Sequence, residues 1–259
     1  MCNTALITGA SSGIGKEFAR IHAKNGGDLV IVARNENKLN ELKVELEQKY
    51  KVTVLVIKKD LTEKNACNEV YNKVISSGIR VNILINNAGF GGLGKFNERR
   101  LEDDMSMIDL NISALTKMTH LFLNDFIKYN EGRILNVSST ASLMPGPLQA
   151  VYFATKAYVR SFTNAIAEEL HDTNITVTNL MPGATESDFG KTSGMDKTSA
   201  FESPADAKSV ALDGYNAMMN GDLDVITGLP FAMKVITKLL PFIPKKVLLK
   251  QVRKMQDVS

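Results

Sequence analysis

The chain has 259 residues, of which 44% are apolar and 23% are charged. This composition is ordinary for a globular protein and excludes a largely disordered chain, and the length suits one large α/β domain or two small ones. Two cysteines, Cys2 and Cys67, are too few for a disulfide framework or a zinc cluster. The uncharged apolar runs all fall short of the roughly 18 residues that would predict a membrane span.

The charge is divided unevenly along the chain. Residues 231–259 hold seven basic side chains and one acid, Asp257, so they carry +6; the remaining 24 basic and 27 acidic residues leave −3 on residues 1–230 and +3 overall. A weakly acidic body does not favour nucleic acid as a partner. No signal peptide is visible at the N-terminus, and the sequence therefore predicts a cytoplasmic protein.

Seven short apolar runs predict β-strands. They lie at residues 4–8, 29–33, 52–57, 81–85, 133–137, 175–180 and 223–227. Most are continuous rather than alternating, which is typical of strands covered on both faces of a parallel sheet.

Stretches long enough for helices separate these runs, among them residues 35–49, 63–77, 101–129 and 151–172. Alternating strands and helices indicate an α/β fold with a doubly wound, Rossmann-like and mostly parallel sheet. We expect one domain over residues 1–230, with residues 231–259 as a basic amphipathic extension packed on it. Residues 184–203 are rich in Ser, Thr and Gly and predict a long loop.

A glycine-rich turn follows the first strand, and a helical pattern follows the turn. Glycine lets the backbone approach a pyrophosphate closely, and the N–H groups at the helix start face the anion. An ordinary glycine turn is the alternative, but the position between strand and helix favours a dinucleotide site. Its residues are Gly9, Ser11, Ser12, Gly13, Ile14 and Gly15. The spacing Gly-x-x-x-Gly-x-Gly resembles the short-chain dehydrogenase/reductase family.

Arg34 directly follows the second strand, and no acid occurs before Glu36. In dinucleotide-binding folds an acid here binds the free ribose 2′-hydroxyl, whereas an arginine accepts a 2′-phosphate with its planar fork. Arg34 therefore favours NADP(H) over NAD(H), with a solvated loop arginine as the alternative. Lys38, one helical turn further on, is a weaker candidate for the same contact.

Two further strand exits match segments of the family that contact the cofactor. The pair Asp60-Leu61 corresponds to its adenine contact, although an isolated Asp60 also suits a helix N-cap. The segment Asn86-Asn87-Ala88-Gly89 corresponds to the one beside the adenine and ribose, with a simple turn as the alternative. The resemblance thus implies cofactor contacts at Asp60, Leu61, Asn87, Ala88 and Gly89.

Tyr152 and Lys156 lie four residues apart at the start of a predicted helix, so their side chains share a face. A neighbouring cation stabilises a phenolate and lowers the tyrosine pKa, which makes the pair a usable general acid/base. Alone this spacing is common, but Ser139 lies 13 residues before Tyr152, at the exit of the fifth strand. In the family the second serine of such a pair is catalytic, and Ser138 is the less favoured choice.

The resemblance also implies individual roles. Tyr152 exchanges a proton with the carbonyl oxygen, and Lys156 lowers the pKa of Tyr152 and binds the nicotinamide ribose. Ser139 orients the carbonyl, and Asn111 sustains a proton relay through a water, although a buried asparagine satisfied by backbone is also possible.

The exit of the sixth strand matches the family's segment against the nicotinamide carboxamide. Its contacts are Pro182, Gly183 and Thr185, although a Pro-Gly pair alone indicates only a turn. Ser187 stands where family members often have threonine.

The predicted function is hydride transfer between NADP(H) and a carbonyl or alcohol, in a homo-dimer or homo-tetramer without a metal. The alternative is a non-catalytic NADP-binding sensor or scaffold, which would be expected to lose Tyr152 or Lys156. An enoyl reductase is disfavoured because that relative usually spaces its tyrosine and lysine more widely. Substrate choice is expected at residues 90–96, 143–151 and 184–201, whose mostly apolar side chains suit a hydrophobic substrate.

The C-terminal extension predicts two helices, at residues 231–240 and 245–255, with Leu248, Val252 and Met255 on one face. Three interpretations are open. The helices pack on the body or on another subunit, they form a wall of the substrate pocket, or they make a peripheral contact with an anionic membrane.

Overall fold

Seven apolar strands, flanked by helices, form one parallel sheet. The strands are β1 (Thr4–Thr8), β2 (Asp28–Ala33), β3 (Val54–Lys58), β4 (Ile83–Asn86), β5 (Gly132–Val137), β6 (Ile175–Pro182) and β7 (Asp224–Thr227). Their order is β3-β2-β1-β4-β5-β6-β7, and every neighbouring pair is parallel. The predicted strands and the Rossmann-like fold class are confirmed, with each end within two residues of its predicted position.

This computed structural model describes residues 3–257, apart from the side chains of Ala200, Phe231, Lys238 and Pro241. Cys2 lies outside the described residues, whereas Cys67 is a buried free thiol. The helices are α1 (Gly13–Lys24), α2 (Glu36–Tyr50), α3 (Ala66–Ser76), α4 (Leu101–Ile108), α5 (Leu115–Tyr129), α6 (Ala150–Glu169), α7 (Asp188–Ser193), α8 (Ala207–Asn220), α9 (Phe231–Leu239) and α10 (Lys245–Gln256). Among them, none combines the length and the apolar character that a membrane span requires.

The helices cover the two faces of the sheet in separate apolar cores. Helices α1, α2 and α8 contribute side chains such as Phe18, Leu42 and Met218 to one core. Helices α3 and α5 contribute side chains such as Val70 and Phe122 to the other. Both faces of the strands are therefore buried, which explains why their sequences are continuously apolar.

Two helices differ from their predictions. The stretch predicted as one helix over residues 101–129 contains a π-helical turn, Asp109–Ala114, between α4 and α5. Helix α3 begins at Ala66 rather than at residue 63, because the Asp60 carboxylate accepts hydrogen bonds from the backbone N–H and the hydroxyl of Thr62 and forms a turn there.

The loop predicted over residues 184–203 is wrong in part, because it contains helix α7 and two 3-10 turns. Its base is closed by Ala205, whose N–H donates to Ala184 O and whose carbonyl accepts from Glu186 N, both at 2.8 Å. The Ser187 hydroxyl caps α7 by accepting from Phe189 N, and Gly194, at φ +72, ends it. Capping and a left-handed glycine thus outweigh a composition with low helix propensity.

The C-terminal extension forms α9, a 3-10 turn (Leu240–Phe242) and α10, as the helical spacing predicts. Leu248 and Val252 are buried in a third apolar cluster together with Tyr152 and Phe153. Met255 does not share their burial, since 40% of it is exposed. Gln256 takes the next buried position instead, and its side chain accepts a hydrogen bond from Gln149.

Candidate active site

A cleft of about 1180 Å³ opens at the carboxyl ends of the strands. Strand β1 pairs with β2 on one side and with β4 on the other, so the strand order reverses there, and such a switch point is where open α/β sheets bind ligands. The predicted residues that line the cleft are Gly9, Ser11, Ser12, Gly13, Ile14, Arg34, Asp60, Leu61, Asn87, Ala88, Gly89, Ser139, Tyr152, Lys156, Pro182, Gly183 and Thr185. Gly15 and Asn111 lie behind this lining.

The glycine turn is a backbone cradle that side chains would fill. Gly9 and Gly13 adopt positive φ angles of +68 and +52, where glycine is favoured. A Cβ on Gly15 would lie 2.4 Å from both Gly9 O and the Asn87 side-chain nitrogen, so glycine is required there for close packing. The Ser12 side chain does not cap α1, so the first N–H groups of that helix face the cleft without a side-chain acceptor.

Asn87 ties the glycine turn to the exit of β4. Its Nδ2 donates to Thr8 O at 3.0 Å and to Gly9 O at 3.2 Å, while the Thr8 hydroxyl accepts from the backbone N–H groups of Asn87 and Ala88. The two strand exits are therefore fixed relative to each other by hydrogen bonds. Asn87, for which a cofactor contact is predicted, thus has a second role, because its side chain also holds the glycine turn in place.

Arg34 reaches the cleft with a side chain that is 78% exposed, and its Nη1 lies 3.8 Å from Asp60 Oδ2. Asp60 itself forms the turn with Thr62 and does not cap a helix, so the N-cap alternative is wrong: the N-cap of α3 is Asn65. Lys38 forms an ion pair with Asp188 of α7, at 3.2 Å. Both cations are thus near acids but remain solvated, and such exposed pairs hold a side chain only weakly.

Tyr152 lies on the first turn of α6, buried against aromatic rings. The ring of Phe189 from α7 is 5.5 Å away between centroids, and Phe153 packs edge-on at 6.1 Å. Burial raises the pKa of Tyr152 to about 12, and a hydrogen bond with the Ser139 hydroxyl opposes that rise. The structure therefore corrects the expected direction, because loss of hydration outweighs the stabilisation of the phenolate.

Lys156 occupies the next turn of α6 and is also buried. Its ammonium donates to Val137 O at 2.9 Å and lies 5.8 Å from the centroid of the Tyr152 ring. Burial lowers the pKa of Lys156 to about 8. The lysine is thus hydrogen-bonded at the exit of β5, and the contact that lowers the pKa of Tyr152 comes from Ser139 instead.

The two adjacent serines differ in their surroundings. Ser138 is buried, and its hydroxyl donates to Lys156 O at 3.1 Å, which joins β5 to α6. Both serines line the cleft, but Ser139 is less buried, accepts from Ala141 N at 3.1 Å and interacts with Tyr152. This difference favours Ser139 as the serine that faces a substrate.

Asn111 sits in the π-helical turn, a feature often associated with functional sites. Its Oδ1 accepts from Phe90 N, and its Nδ2 donates to Phe90 O and to the Thr155 hydroxyl, at 2.9–3.1 Å. A Cβ on Gly89 would contact both Asn111 Oδ1 and Lys156 Nζ, so these polar groups converge behind Gly89. The hydrogen bonds of Asn111 therefore match the alternative given above, a buried asparagine whose polar atoms are satisfied by backbone groups.

The substrate side of the cleft includes residues that the sequence did not single out. Arg99 lines it and forms an ion pair with the buried Asp104 at 2.7 Å. The extension lines it with Met233, Thr237, Val252, Met255 and Gln256. The extension therefore packs on the body and also forms part of the cleft wall, which are two of the interpretations given above. Within residues 3–257, no group of His, Cys, Asp and Glu side chains is arranged to hold a metal ion.

The fold, the glycine cradle and the tyrosine–lysine pair define a dinucleotide-binding α/β oxidoreductase. A family model for short chain dehydrogenases matches residues 3–198. The chain is 37% identical over 188 residues to the NADP-dependent 3-hydroxy acid dehydrogenase of Schizosaccharomyces pombe, covering 72% of this chain and 73% of that protein. The chain belongs to the short-chain dehydrogenase/reductase family.

Solved structures agree with this assignment. A short-chain dehydrogenase from Sphingobium yanoikuyae in complex with NADPH is 29% identical, with a TM-score of 0.83, over 94% of this chain and 97% of that one. A short-chain dehydrogenase/reductase from Burkholderia phymatum in complex with NAD has a TM-score of 0.85 at 20% identity, over 99% and 97% of the two chains, and shows the shared fold alone. The fold is thus one that holds a nucleotide cofactor.

Proposed function

We propose that this protein is an NADP(H)-dependent oxidoreductase that interconverts a hydrophobic carbonyl compound and its alcohol. The observation that carries the proposal is the placement of Ser139, Tyr152 and Lys156 in one cleft with the glycine cradle. The site fits a dinucleotide because Gly9, Gly13 and Gly15 leave backbone space that a Cβ would occupy. The Gly9–Gly15 turn, Asn87 and Gly183 would hold the cofactor, and when bound its nicotinamide supplies the hydride.

The chain's own residues handle the proton. In reduction, Tyr152 donates its phenolic proton to the carbonyl oxygen while Ser139 donates a hydrogen bond to the same oxygen. A raised pKa keeps Tyr152 neutral at physiological pH and so keeps that proton available. In oxidation Tyr152 works in reverse as a base, and its raised pKa leaves little phenolate for that direction at neutral pH.

The choice of NADP(H) rests on Arg34. Its exposed guanidinium follows β2, at the position where dinucleotide-binding folds distinguish a ribose hydroxyl from a 2′-phosphate. The NADP dependence in the name of the Schizosaccharomyces relative and the NADPH in the Sphingobium structure support this choice.

The apolar character of the cleft supports a hydrophobic substrate. Phe153, Met144, Phe189, Met195 and Phe201 line it beside Tyr152. Such a lining favours a carbonyl compound with a bulky apolar group. We further propose a cytoplasmic homo-dimer or homo-tetramer in which residues 1–230 form the catalytic domain and residues 231–259 an extension packed on it.

A panel of apolar ketones and aldehydes tests the proposal through NADPH oxidation by the wild-type protein and by Tyr152→Phe. We expect turnover to fall by about 10²–10⁴-fold in the variant, because its proton donor is removed. Tyr158→Phe is the matched control, since its hydroxyl lies on the exposed side of α6 and contacts Thr116. Turnover on that panel that does not depend on Tyr152 would contradict the catalytic assignment.

The sensor or scaffold alternative predicts a different result. Under it, NADPH stabilises the wild-type protein and Tyr152→Phe against heat equally, while no carbonyl compound is turned over by either. Measuring thermal stabilisation beside turnover therefore distinguishes the two functions.

A further inference from the structure

Helix α9 and the turn after it present apolar side chains to solvent. Val235 and Ile236 are 44% exposed, Leu239 is 53% exposed, and Phe242 in the 3-10 turn is 83% exposed. The apolar patch is defined here as Met233, Val235, Ile236, Leu239, Phe242 and Val247. Exposed large apolar side chains concentrated in one short segment favour an interaction surface over an ordinary solvated helix.

A basic rim follows the apolar patch in the sequence and lies on α10. It consists of Lys245, Lys246, Lys250, Arg253 and Lys254, whose side chains are all exposed. None of these five has an acidic neighbour within salt-bridge distance among the residues that the structure describes. The extension as a whole carries +6, and the rest of the chain carries −3.

The remaining face of α10 is already in contact with the body. Leu248 and Val252 are buried beside Tyr152 and Phe153, and Gln256 is hydrogen-bonded to Gln149. The extension is therefore anchored through one face, and its exposed apolar and basic side chains need a different partner.

The net charge of the extension indicates which kind of partner its exposed surface binds. Pairing two extensions face to face would bring together two segments of +6 each, which like-charge repulsion opposes. An anionic lipid surface offers both negative headgroups for the rim and an apolar layer for side chains such as Phe242. The −3 of the body is repelled by the same surface, so the charge distribution also sets the orientation of approach.

We propose that the apolar patch and the basic rim dock this protein peripherally on an anionic membrane surface. Met233 and Thr237 of α9 also line the cleft, together with Val252 of α10. Docking therefore places the substrate side of the cleft close to the bilayer, where an apolar carbonyl compound partitions. That consequence rests on the proposed function, whereas the docking itself does not.

A tryptophan probe tests the docking at a single position, because the chain contains no tryptophan. The variants are Phe242→Trp in the patch and Phe96→Trp as the matched control, since Phe96 is also an exposed phenylalanine at 65%. Vesicles of phosphatidylcholine with and without phosphatidylglycerol are added at low and high salt. We expect a blue-shifted emission, quenched by brominated lipid, for Phe242→Trp only and with phosphatidylglycerol only.

Co-sedimentation of the full chain supplies the second measurement. We expect Phe242→Ser to lower the affinity for the anionic vesicles about tenfold, because a phenylalanine side chain no longer enters the interface. Reversing Lys245, Lys246 and Lys250 to Glu should abolish binding, whereas the same reversal at the exposed Lys24, Lys64 and Lys117 should leave most of it.

The proposal is overturned if the wild-type chain does not bind anionic vesicles, or if the two triple reversals weaken binding equally. It is also overturned if the chain is a dimer that Phe242→Ser dissociates without any vesicle binding, since the patch is then a subunit interface. None of these measurements requires turnover, so a failure here is distinguishable from a failure of the proposed reaction.

Discussion

Replacing Lys156 by methionine should change how the stability of the protein depends on pH. Burial lowers the pKa of Lys156 from 10.5 to about 8, so the charged ammonium is disfavoured in the folded state by about 3 kcal/mol. Below pH 8 the lysine is protonated in both states and the penalty is fully present. Between pH 8 and pH 10.5 the unfolded chain binds more protons, so the free energy of unfolding rises with pH.

The variant Lys156→Met lacks this titration. The free energy of unfolding of the wild-type protein should therefore rise relative to that of the variant by about 2.5 kcal/mol between pH 7 and pH 10. The lost hydrogen bond from Lys156 to Val137 O adds a constant offset, which cancels when the two pH profiles are compared. The raised pKa of Tyr152 lowers the free energy of unfolding only above pH 10, and it does so in the wild type and in the variant alike.

Urea unfolding followed by circular dichroism at several pH values, in protein without dinucleotide, measures the difference. Lys64→Met, at an exposed site, is the control for the loss of a lysine as such, and its profile should run parallel to that of the wild type. Parallel profiles for the wild type and Lys156→Met would refute the reasoning, because the ammonium would then be hydrated in the folded state.

Three further predictions follow from single contacts in the cleft. Arg34→Ala should weaken NADPH binding about 10- to 100-fold and leave NADH binding nearly unchanged, as measured by fluorescence titration; unchanged NADPH binding would assign Arg34 to solvent, and equal losses would contradict a contact with the 2′-phosphate. Gly15→Ala should lower the free energy of unfolding by about 1–3 kcal/mol in urea melts, because its Cβ meets the backbone oxygen of Gly9, and an unchanged midpoint would contradict that packing. Asn111→Ala should cost about 2–4 kcal/mol, measured likewise, because the half-buried N–H and C=O of Phe90 and the buried Thr155 hydroxyl lose their side-chain partner. A smaller loss would mean that water replaces the amide.

The placement of the predicted cofactor residues around one cleft followed closely from the sequence because these residues directly follow strands. The glycine turn follows β1 directly, Arg34 follows β2, and Asn87 follows β4, so each residue's place is fixed by the strand that precedes it. Parallel strands bring all their carboxyl ends to one edge, and a correct strand assignment therefore places these residues together. The hydrogen bonds of Asn87 to the glycine turn could not be predicted, since they join positions almost 80 residues apart.

The substrate side could not be predicted to the same depth, because it assembles segments that are distant in the sequence. Phe189, which contacts Tyr152, lies in a short helix capped by Ser187, and the composition of residues 184–203 did not favour that helix. The buried Gln256 contacts Gln149 across more than 100 residues, and no local pattern indicates that pairing. Helical spacing predicted α10 and the burial of Leu248, but not which surface it would meet.

The acid/base pair shows a different limit of sequence reasoning. Spacing correctly placed Tyr152 and Lys156 on one face of α6, but a pKa depends on hydration and on where an ammonium is directed. Both groups are buried, and burial disfavours the phenolate and the ammonium alike. At neutral pH this favours a neutral phenol, the form that the proposed reduction requires as its proton donor. The burial that makes the charged Lys156 costly in the folded state is therefore the same burial that keeps Tyr152 protonated for the proposed reduction.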